Sequence, residues 1–140
     1  MDKKTDLLKM LEKEALKARE ASYAPYSRFK VGAALIANSG KIYRGCNIES
    51  VSFSPTCCAE RVALFKAVSE CERDFKGIFI LGGKEDLKSD ELDICYPCGV
   101  CRQALCEFCG EDFEIYLKDK RGNFKIYTLK QLMPYSFDKI

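Results

Sequence analysis

The sequence predicts an α/β layered domain built on a mixed sheet. Segments with helical periodicity alternate with short apolar strands along the chain. Apolar residues make up 47% of the 140 residues, and charged residues make up 31%, which is typical of one compact core rather than of a disordered chain. No apolar run reaches the length of a membrane span. Residues 1–140 are therefore expected to form a single domain.

The first half of the chain predicts a helix, a hairpin and a second helix. Apolar side chains recur at helical spacing over residues 4–21. An apolar strand is predicted over residues 29–37, and Asn38-Ser39-Gly40 predicts a hairpin turn into a returning strand over residues 41–48. Thr56 is predicted to cap a helix that runs through Ala59 to Val68.

The second half predicts one buried strand, a helix and two further strands. The buried strand covers residues 77–81 and is expected to close at Gly82-Gly83, before a polar surface loop over residues 84–92. A helix is predicted over residues 98–109, stopped by Gly110. The remaining elements are strands over residues 113–117 and 124–129, and Met133-Pro134 ends the regular structure.

Charge and cysteine content narrow the function. The net charge is only +2, and basic and acidic residues are interspersed, so no nucleic-acid surface is predicted. The charged N-terminus lacks an apolar signal core, so a cytoplasmic protein with no membrane partner is expected. Nine cysteines without an export signal favour reduced thiols and a metal site over disulfides. Histidine is absent, which excludes Ser-His-Asp chemistry and histidine-ligated metals.

Two predicted helix starts carry the candidate chemistry. Cys58 and Glu60 open one helix, and Cys98 and Cys101, preceded by Pro97, open the other. Helix N-termini lower thiol pKa values, and the thiolate is the form that binds zinc. Three thiolates would leave the fourth tetrahedral position to water, as in catalytic zinc sites. A carboxylate at Glu60 could then take a proton from that water and deliver it to a substrate.

More than one interpretation of the cysteines is open at this point. Cys-x-x-Cys alone is often a structural zinc knuckle or a redox pair. Cys101, Cys106 and Cys109 match a plant-type iron–sulfur spacing, although no fourth cysteine follows them. The cysteines outside the zinc proposal are expected to be small buried apolar residues; they are Cys46, Cys57, Cys71, Cys95, Cys106 and Cys109.

Taken together, the two segments match the signature of zinc nucleobase deaminases. The sequence closely resembles the small homotetrameric cytidine deaminases with three-cysteine zinc sites, from residues 24–34 through residues 45–49 and both zinc segments to residues 132–137. The resemblance implies a three-layer cytidine-deaminase-like fold with a mixed five-stranded sheet flanked by helices. It also implies one Zn²⁺ per chain on Cys58, Cys98 and Cys101, with Glu60 as the proton shuttle.

The resemblance also implies a set of substrate contacts. Asn47 and Glu49 would bind ribose hydroxyls, Phe29 would contact the base or sugar, and Ala59 would lie with them at the substrate. Phe137 would reach the active site of a neighbouring subunit in the tetramer. The sequence departs from the family at Ser50, where Asn is frequent, and at Phe53, where Tyr is frequent, which leaves only fine substrate contacts in doubt.

Each of these residues also has a plainer interpretation. Asn47 and Glu49 alternate on a predicted strand, so they could face one pocket, or they could simply be exposed at a strand end. Without the resemblance, Phe29 would be interpreted as a core aromatic residue. Phe137 could simply hold the C-terminus against the rest of the domain. Arg61 could either donate to cysteine sulfur and offset the negative charge of three thiolates, or be a solvated helix arginine.

The predicted function is zinc-dependent hydrolytic deamination of cytidine and deoxycytidine to uridine and deoxyuridine plus ammonia, a step of pyrimidine salvage. The nearest competing function is deamination of a cytosine-containing antibiotic such as blasticidin S, against which Asn47 and Glu49 argue because they suit a ribose. Two more distant functions are a non-catalytic zinc module and a nucleic-acid editing deaminase. Glu60 argues against the zinc module, and the small size and balanced charge argue against the editing enzyme.

Overall fold

The computed structural model describes residues 2–140, which form helices on both faces of one mixed sheet. The elements in chain order are α1 (Lys3–Glu20), β1 (Phe29–Ala37), β2 (Ile42–Cys46), α2 (Ala59–Ser69), β3 (Phe75–Lys84), α3 (Gly99–Phe108), β4 (Glu114–Lys118), β5 (Phe124–Thr128) and α4 (Leu129–Leu132). The strand order is β2-β1-β3-β4-β5. The predicted five-stranded α/β fold is confirmed.

The sheet is mixed because one of its connections is a helical crossover. β1 pairs antiparallel with both β2 and β3, and β4 pairs antiparallel with β5. β3 and β4 run parallel, in register at Ile78 and Ile115, and α3 lies in the connection between them. A parallel pair needs such a long crossover, whereas antiparallel pairs need only a turn.

Alternation along the central strands produces the three layers. In β1, Ala33 and Leu35 belong to the apolar cluster shared with α2 and α3, while Ala34 and Ile36 belong to the cluster shared with α1. The same division repeats in β3 and β4, because successive strand residues face opposite sides of a sheet. α1 therefore covers one face, and the two helices with the candidate zinc residues begin on the other.

Two glycines let the helices approach the sheet closely. A Cβ at Gly45 in β2 would lie 2.2 Å from the carbonyl oxygen of Ala59 in α2. A Cβ at Gly32 in β1 would lie 2.0 Å from the carbonyl oxygen of Ala15 in α1. Neither separation is sterically possible, so each helix can occupy its position only because the strand residue facing it is glycine.

Several predicted boundaries were wrong, each for a local reason. β3 continues through Gly82 and Gly83, because both residues pair with β1 and their lack of a Cβ avoids neighbouring side chains. β2 ends at Cys46 rather than at residue 48. Cys58 rather than Thr56 is the N-cap of α2.

The chain contains two short elements that periodicity did not indicate. A 3₁₀ turn occupies Ser89–Glu91 inside the predicted surface loop. β5 ends at Thr128, whose side chain accepts a hydrogen bond from the amide of Gln131 and so begins α4. Segments of three or four residues are too short for hydrophobic periodicity to reveal.

Candidate metal centre and substrate cavity

Three thiols from two helix starts converge on one point. Cys58 is the N-cap of α2, Cys98 is the N-cap of α3, and Cys101 lies in the first turn of α3. Their sulfur atoms all lie within 4.8 Å of one another, and within residues 2–140 they form the only such group of three potential ligands. Because both helices pack on the same face of the sheet, their N-termini meet there.

The spacing of the sulfurs fits a zinc ion. The Sγ atoms of Cys58 and Cys98 are 3.7 Å apart. Two thiolates bound tetrahedrally at the usual Zn–S distance of about 2.3 Å would be about 3.8 Å apart. The donor set, three sulfurs and no histidine, is one that zinc favours, and it leaves a fourth position for water. The chain therefore has a site for one zinc ion.

The electrostatics of the cluster favour thiolate at Cys58. The pKa of Cys58 is lowered to about 5, first by a hydrogen bond from Cys101 and then by one from Arg61. The pKa of Cys101 is raised, because its thiol is the donor to Cys58 and because it is buried. The guanidinium Nη2 of Arg61 lies 3.5 Å from the sulfur of Cys58. Arg61 thus faces the cluster rather than solvent.

Glu60 is the one buried charged residue in the described chain. It lies in the first turn of α2, two residues after Cys58, and its exposure is 4%. Burial is the largest cause of its altered acidity and raises its pKa to about 7. The Nε of Arg61 is also buried, and it has no hydrogen-bond partner. The carboxyl group of Glu60 is therefore poorly solvated and lies beside the three thiols.

The cluster opens onto a cavity of about 250 Å³, and most of the predicted substrate residues line it. Phe29, Asn47, Glu49, Ala59 and Glu60 are all in its wall, together with the sulfur ligands Cys58 and Cys98. The side chain of Phe29 is 37% exposed, so it is not the core aromatic that the sequence alone suggested. The geometry places the thiols, the carboxyl group and a binding space next to each other.

Asn47 and Glu49 reach this cavity by a route other than the predicted one. Both lie beyond the end of β2, so strand alternation does not place them. The side-chain amide of Asn47 instead forms two hydrogen bonds to the backbone. Its Oδ1 accepts one from the backbone N–H of Val31 at 2.8 Å, and its Nδ2 donates one to the carbonyl of Phe29 at 2.8 Å. These two bonds tie the segment after β2 to the start of β1, where Phe29 begins the strand.

The carboxylate of Glu49 is held by the loop before β1. Its Oε1 accepts hydrogen bonds from the backbone amides of Tyr26 and Ser27 at 3.0 and 3.1 Å, and its Oε2 accepts one from the Ser27 hydroxyl. The Ser27 hydroxyl bond is the largest cause that lowers the pKa of Glu49. Glu49 is therefore a fixed, ionised carboxylate at the cavity wall.

Phe137 lies apart from the cavity of its own chain, and the non-ligand cysteines are less buried than predicted. Phe137 is 71% exposed and outside the cavity, and its carbonyl accepts a hydrogen bond from Gln103. Cys71 is exposed, contrary to expectation, because it occupies the left-handed turn after α2 with φ of 70°. None of the other five non-ligand cysteines is fully buried either.

Six residues of the cavity wall were missed by the sequence interpretation: Ser27, Val31, Thr56, Cys57, Cys95 and Tyr96. Cys57, Cys95 and Tyr96 line the cavity beside the predicted residues. The signal available for these three was their place one or two residues before Cys58 or Pro97. All nine cysteines are free thiols.

The three-layer fold, the three-thiol centre and the buried carboxyl group define a zinc-dependent deaminase. The family model for the cytidine and deoxycytidylate deaminase zinc-binding region matches residues 5–117. The chain belongs to this family.

Relatives of known identity cover almost the whole chain. It is 46% identical over 126 residues to a cytidine deaminase of Sporosarcina psychrophila, covering 90% of this chain and 88% of the relative. It is 45% identical to a cytidine deaminase of Halalkalibacterium halodurans, with 91% and 92% covered. The crystal structure of a Burkholderia pseudomallei cytidine deaminase superposes with a TM-score of 0.82 at 38% identity, over 92% of this chain and 98% of that one.

Proposed function

We propose that this protein catalyses the hydrolytic deamination of cytidine and deoxycytidine to uridine and deoxyuridine, releasing ammonia, as a step of pyrimidine salvage. The observation that carries the proposal is the cavity of about 250 Å³ that brings Glu60, two of the three thiol ligands, Asn47 and Glu49 into one wall. The relatives named cytidine deaminase support the same reaction.

Zinc, when bound by Cys58, Cys98 and Cys101, supplies an activated water for attack at C4 of cytosine. Glu60 moves the protons. It takes one from the water, delivers it to N3 of the ring, and then helps to protonate the departing amino group. A pKa of about 7, raised mainly by burial, suits a group that must both accept and release a proton near neutral pH.

Asn47 and Glu49 are proposed to bind the sugar. The carboxylate of Glu49 is already oriented by Tyr26 and Ser27, so an approaching hydroxyl meets an acceptor whose position is fixed. The amide nitrogen of Asn47 has a second N–H beside the one given to Phe29. The donor and the acceptor together match a ribose hydroxyl, and Phe29 and Ala59 complete the wall around the nucleoside.

The charge of the cavity favours nucleosides over nucleotides. Its wall, composed entirely of described residues, contains the carboxyl groups of Glu49 and Glu60 and no lysine or arginine. A nucleoside monophosphate carries close to two negative charges at neutral pH. Repulsion between these like charges weakens binding of the nucleotide. Deoxycytidylate is therefore the poorer substrate.

Arg61 is proposed to moderate the charge of the thiol cluster. Three thiolates around one Zn²⁺ leave a net negative charge, which weakens zinc as a Lewis acid. The hydrogen bond from Arg61 to the sulfur of Cys58, and the N-termini of α2 and α3, draw charge from the sulfurs.

The assembly is proposed to be a homotetramer with shared active sites. Phe137 is exposed and outside its own cavity, so it is free to reach the cavity of a neighbouring subunit. Val51 and Phe53 are also exposed, on the loop between the two cavity segments, and are expected to be covered by such a neighbour. Sedimentation of the purified protein at assay concentration tests this; a fully active monomer would exclude it.

The location and domain content follow from the same features. Nine free thiols suit a reducing compartment, so we place the protein in the cytoplasm, acting on free nucleosides and not on nucleic acid. Within residues 2–140, no helix has both the length and the apolar character to cross a bilayer. All elements pack around one sheet, so residues 1–140 are proposed to act as one catalytic domain.

The test is a substrate comparison with the zinc-loaded protein. Cytidine, deoxycytidine, cytosine, deoxycytidylate and blasticidin S are each incubated with it, and loss of the amino-pyrimidine absorbance is followed while zinc per chain is measured. The proposal expects high kcat/KM for both nucleosides and low values for the other three. Preference for blasticidin S or deoxycytidylate would refute the substrate assignment, and inactivity on all five would refute the reaction.

A further inference from the structure

One cysteine motif has no part in the proposed reaction. Cys101 belongs to the thiol cluster, which leaves Cys106 and Cys109 as a separate Cys-x-x-Cys at the other end of α3. Cys106 lies in the last turn, and the amide of Cys109 still donates to the carbonyl of Leu105 at 2.8 Å. Residues three apart on a helix have Cβ atoms about 5–6 Å apart on one face. Cys109 is the C-cap of α3 and has extended dihedrals, but its thiol is close enough to feel the charge of Cys106, so the two thiols are neighbours. Both are free.

Both thiols line a large cavity. This cavity of about 780 Å³ lies between the end of α3, α4 and the C-terminal segment. Leu129 and Met133 contribute apolar wall, Cys106 and Cys109 contribute sulfur, and the lining also contains the charged residues Glu111, Lys130 and Asp138. Small-molecule sites in proteins usually enclose about 300–1,000 Å³. The space can thus hold a small aromatic or alkyl group next to the two sulfurs.

We propose that Cys106 and Cys109 form a dithiol site that captures one thiophilic centre, namely trivalent arsenic carrying a small aromatic or alkyl substituent. Capture of R–As(OH)₂ breaks two S–H bonds and two As–O bonds, forms two As–S bonds and releases two waters, with no change of oxidation state. Sulfur is the soft donor that such centres select, and the apolar side chains of Leu129 and Met133 receive the organic substituent.

The acidity of the two thiols agrees with this chemistry. Burial raises the pKa of both, and that of Cys109 to about 12, so both are protonated at neutral pH. Alkylating agents attack the thiolate and should therefore react slowly here. Capture by arsenic(III) proceeds from the protonated thiols, because their protons leave with the released waters.

The test uses zinc-loaded protein and one equivalent of phenylarsine oxide, which is phenylarsonous acid in water. Mass spectrometry is expected to show one adduct per chain, with the mass of the hydrated reagent less two waters, at unchanged zinc content. A large excess of a monothiol should leave the adduct in place and a small dithiol should remove it, because only a second dithiol can form both As–S bonds. The readout is binding, so it is independent of the deamination proposal.

Three variants and a peptide map locate the site. Cys106→Ser and Cys109→Ser should each abolish the stable adduct, while Cys46→Ser, which removes a half-buried thiol outside this cavity, should retain it. If either serine variant misfolds, proteolysis of the labelled parent must place arsenic on the peptide that contains residues 106–109. No stable adduct, an adduct that survives both serine variants, a map to Cys98 and Cys101, or displacement of zinc would each overturn the proposal.

Discussion

Gly45→Ala tests whether the position of α2 controls the zinc site. The added Cβ would lie 2.2 Å from the carbonyl oxygen of Ala59 and 2.5 Å from the amide nitrogen of Ala63. Restoring ordinary contact requires α2 to move by about 1 Å, and overpacking of this kind costs on the order of 1–3 kcal/mol. For a chain of this size we expect Tm to fall by roughly 3–9 °C.

The same displacement should reach the chemistry. α2 begins at the Cys58 N-cap and carries Glu60 in its first turn, so a shift of about 1 Å separates both from α3. Misplacement of that size can cost about a hundred-fold in rate. We expect Gly45→Ala to lose kcat/KM for cytidine by roughly that factor, and to release zinc to a chelator faster than the parent does.

Gly32→Ala is the matched control. Its Cβ would lie 2.0 Å from the carbonyl oxygen of Ala15 and 2.6 Å from the amide of Arg19, but this clash displaces α1 on the opposite face. Gly32→Ala should lower Tm by a similar amount, but its zinc retention and activity should stay much closer to those of the parent protein. Gly110→Ala, with nothing within 4 Å of its Cβ, should change neither property. Equal zinc loss in Gly32→Ala and Gly45→Ala, or no effect of Gly45→Ala, would refute the reasoning.

Four further substitutions test individual roles at the site. Glu60→Gln should keep zinc and fold but lose about 10²–10⁴-fold or more in kcat, measured at saturating cytidine; near-normal turnover would remove the carboxyl group from the mechanism. Cys98→Ala should lose zinc and thermal stability together, because metal binding energy is folding energy, and full zinc content would mean a different ligand set. Glu49→Ala should lower kcat/KM for cytidine strongly while changing the rate on free cytosine little, and equal losses on both substrates would refute a sugar contact. Arg61→Ala should retain zinc and turn over more slowly, with Arg61→Lys recovering part of the rate; a zinc-loaded variant of unchanged rate would assign Arg61 a role only at the surface.

Side-chain chemistry and periodicity were enough to predict most of the architecture. The long helix, the hairpin and the central strands were predicted from repeated apolar spacing, whereas the strand order, with β1 beside β3, was not. The misplaced boundaries at Gly82, Gly83 and Thr128 have a common cause. Pairing partners and short caps decide where an element ends, and neither is visible in the residues of the element alone.

Residue types and a family signature, both present in the sequence, identified the metal ligands that we propose. Without histidine, only thiolates and carboxylates remained, and the match of both segments to the zinc nucleobase deaminase signature selected Cys58, Cys98 and Cys101, with Glu60 beside one of them. This information is local, because helix periodicity and the electrostatic field of a helix N-terminus extend over one turn.

How these residues meet, and what surrounds them, depends on the packing of elements that are distant in the chain. Asn47 reaches the cavity through hydrogen bonds to Val31 and Phe29 and not through strand alternation. The burial of Glu60, the approach of Arg61 to sulfur and the second cavity at Cys106 and Cys109 were equally invisible in the sequence. Each depends on contacts between elements far apart in the chain, and such contacts exist only once both faces of the sheet are packed.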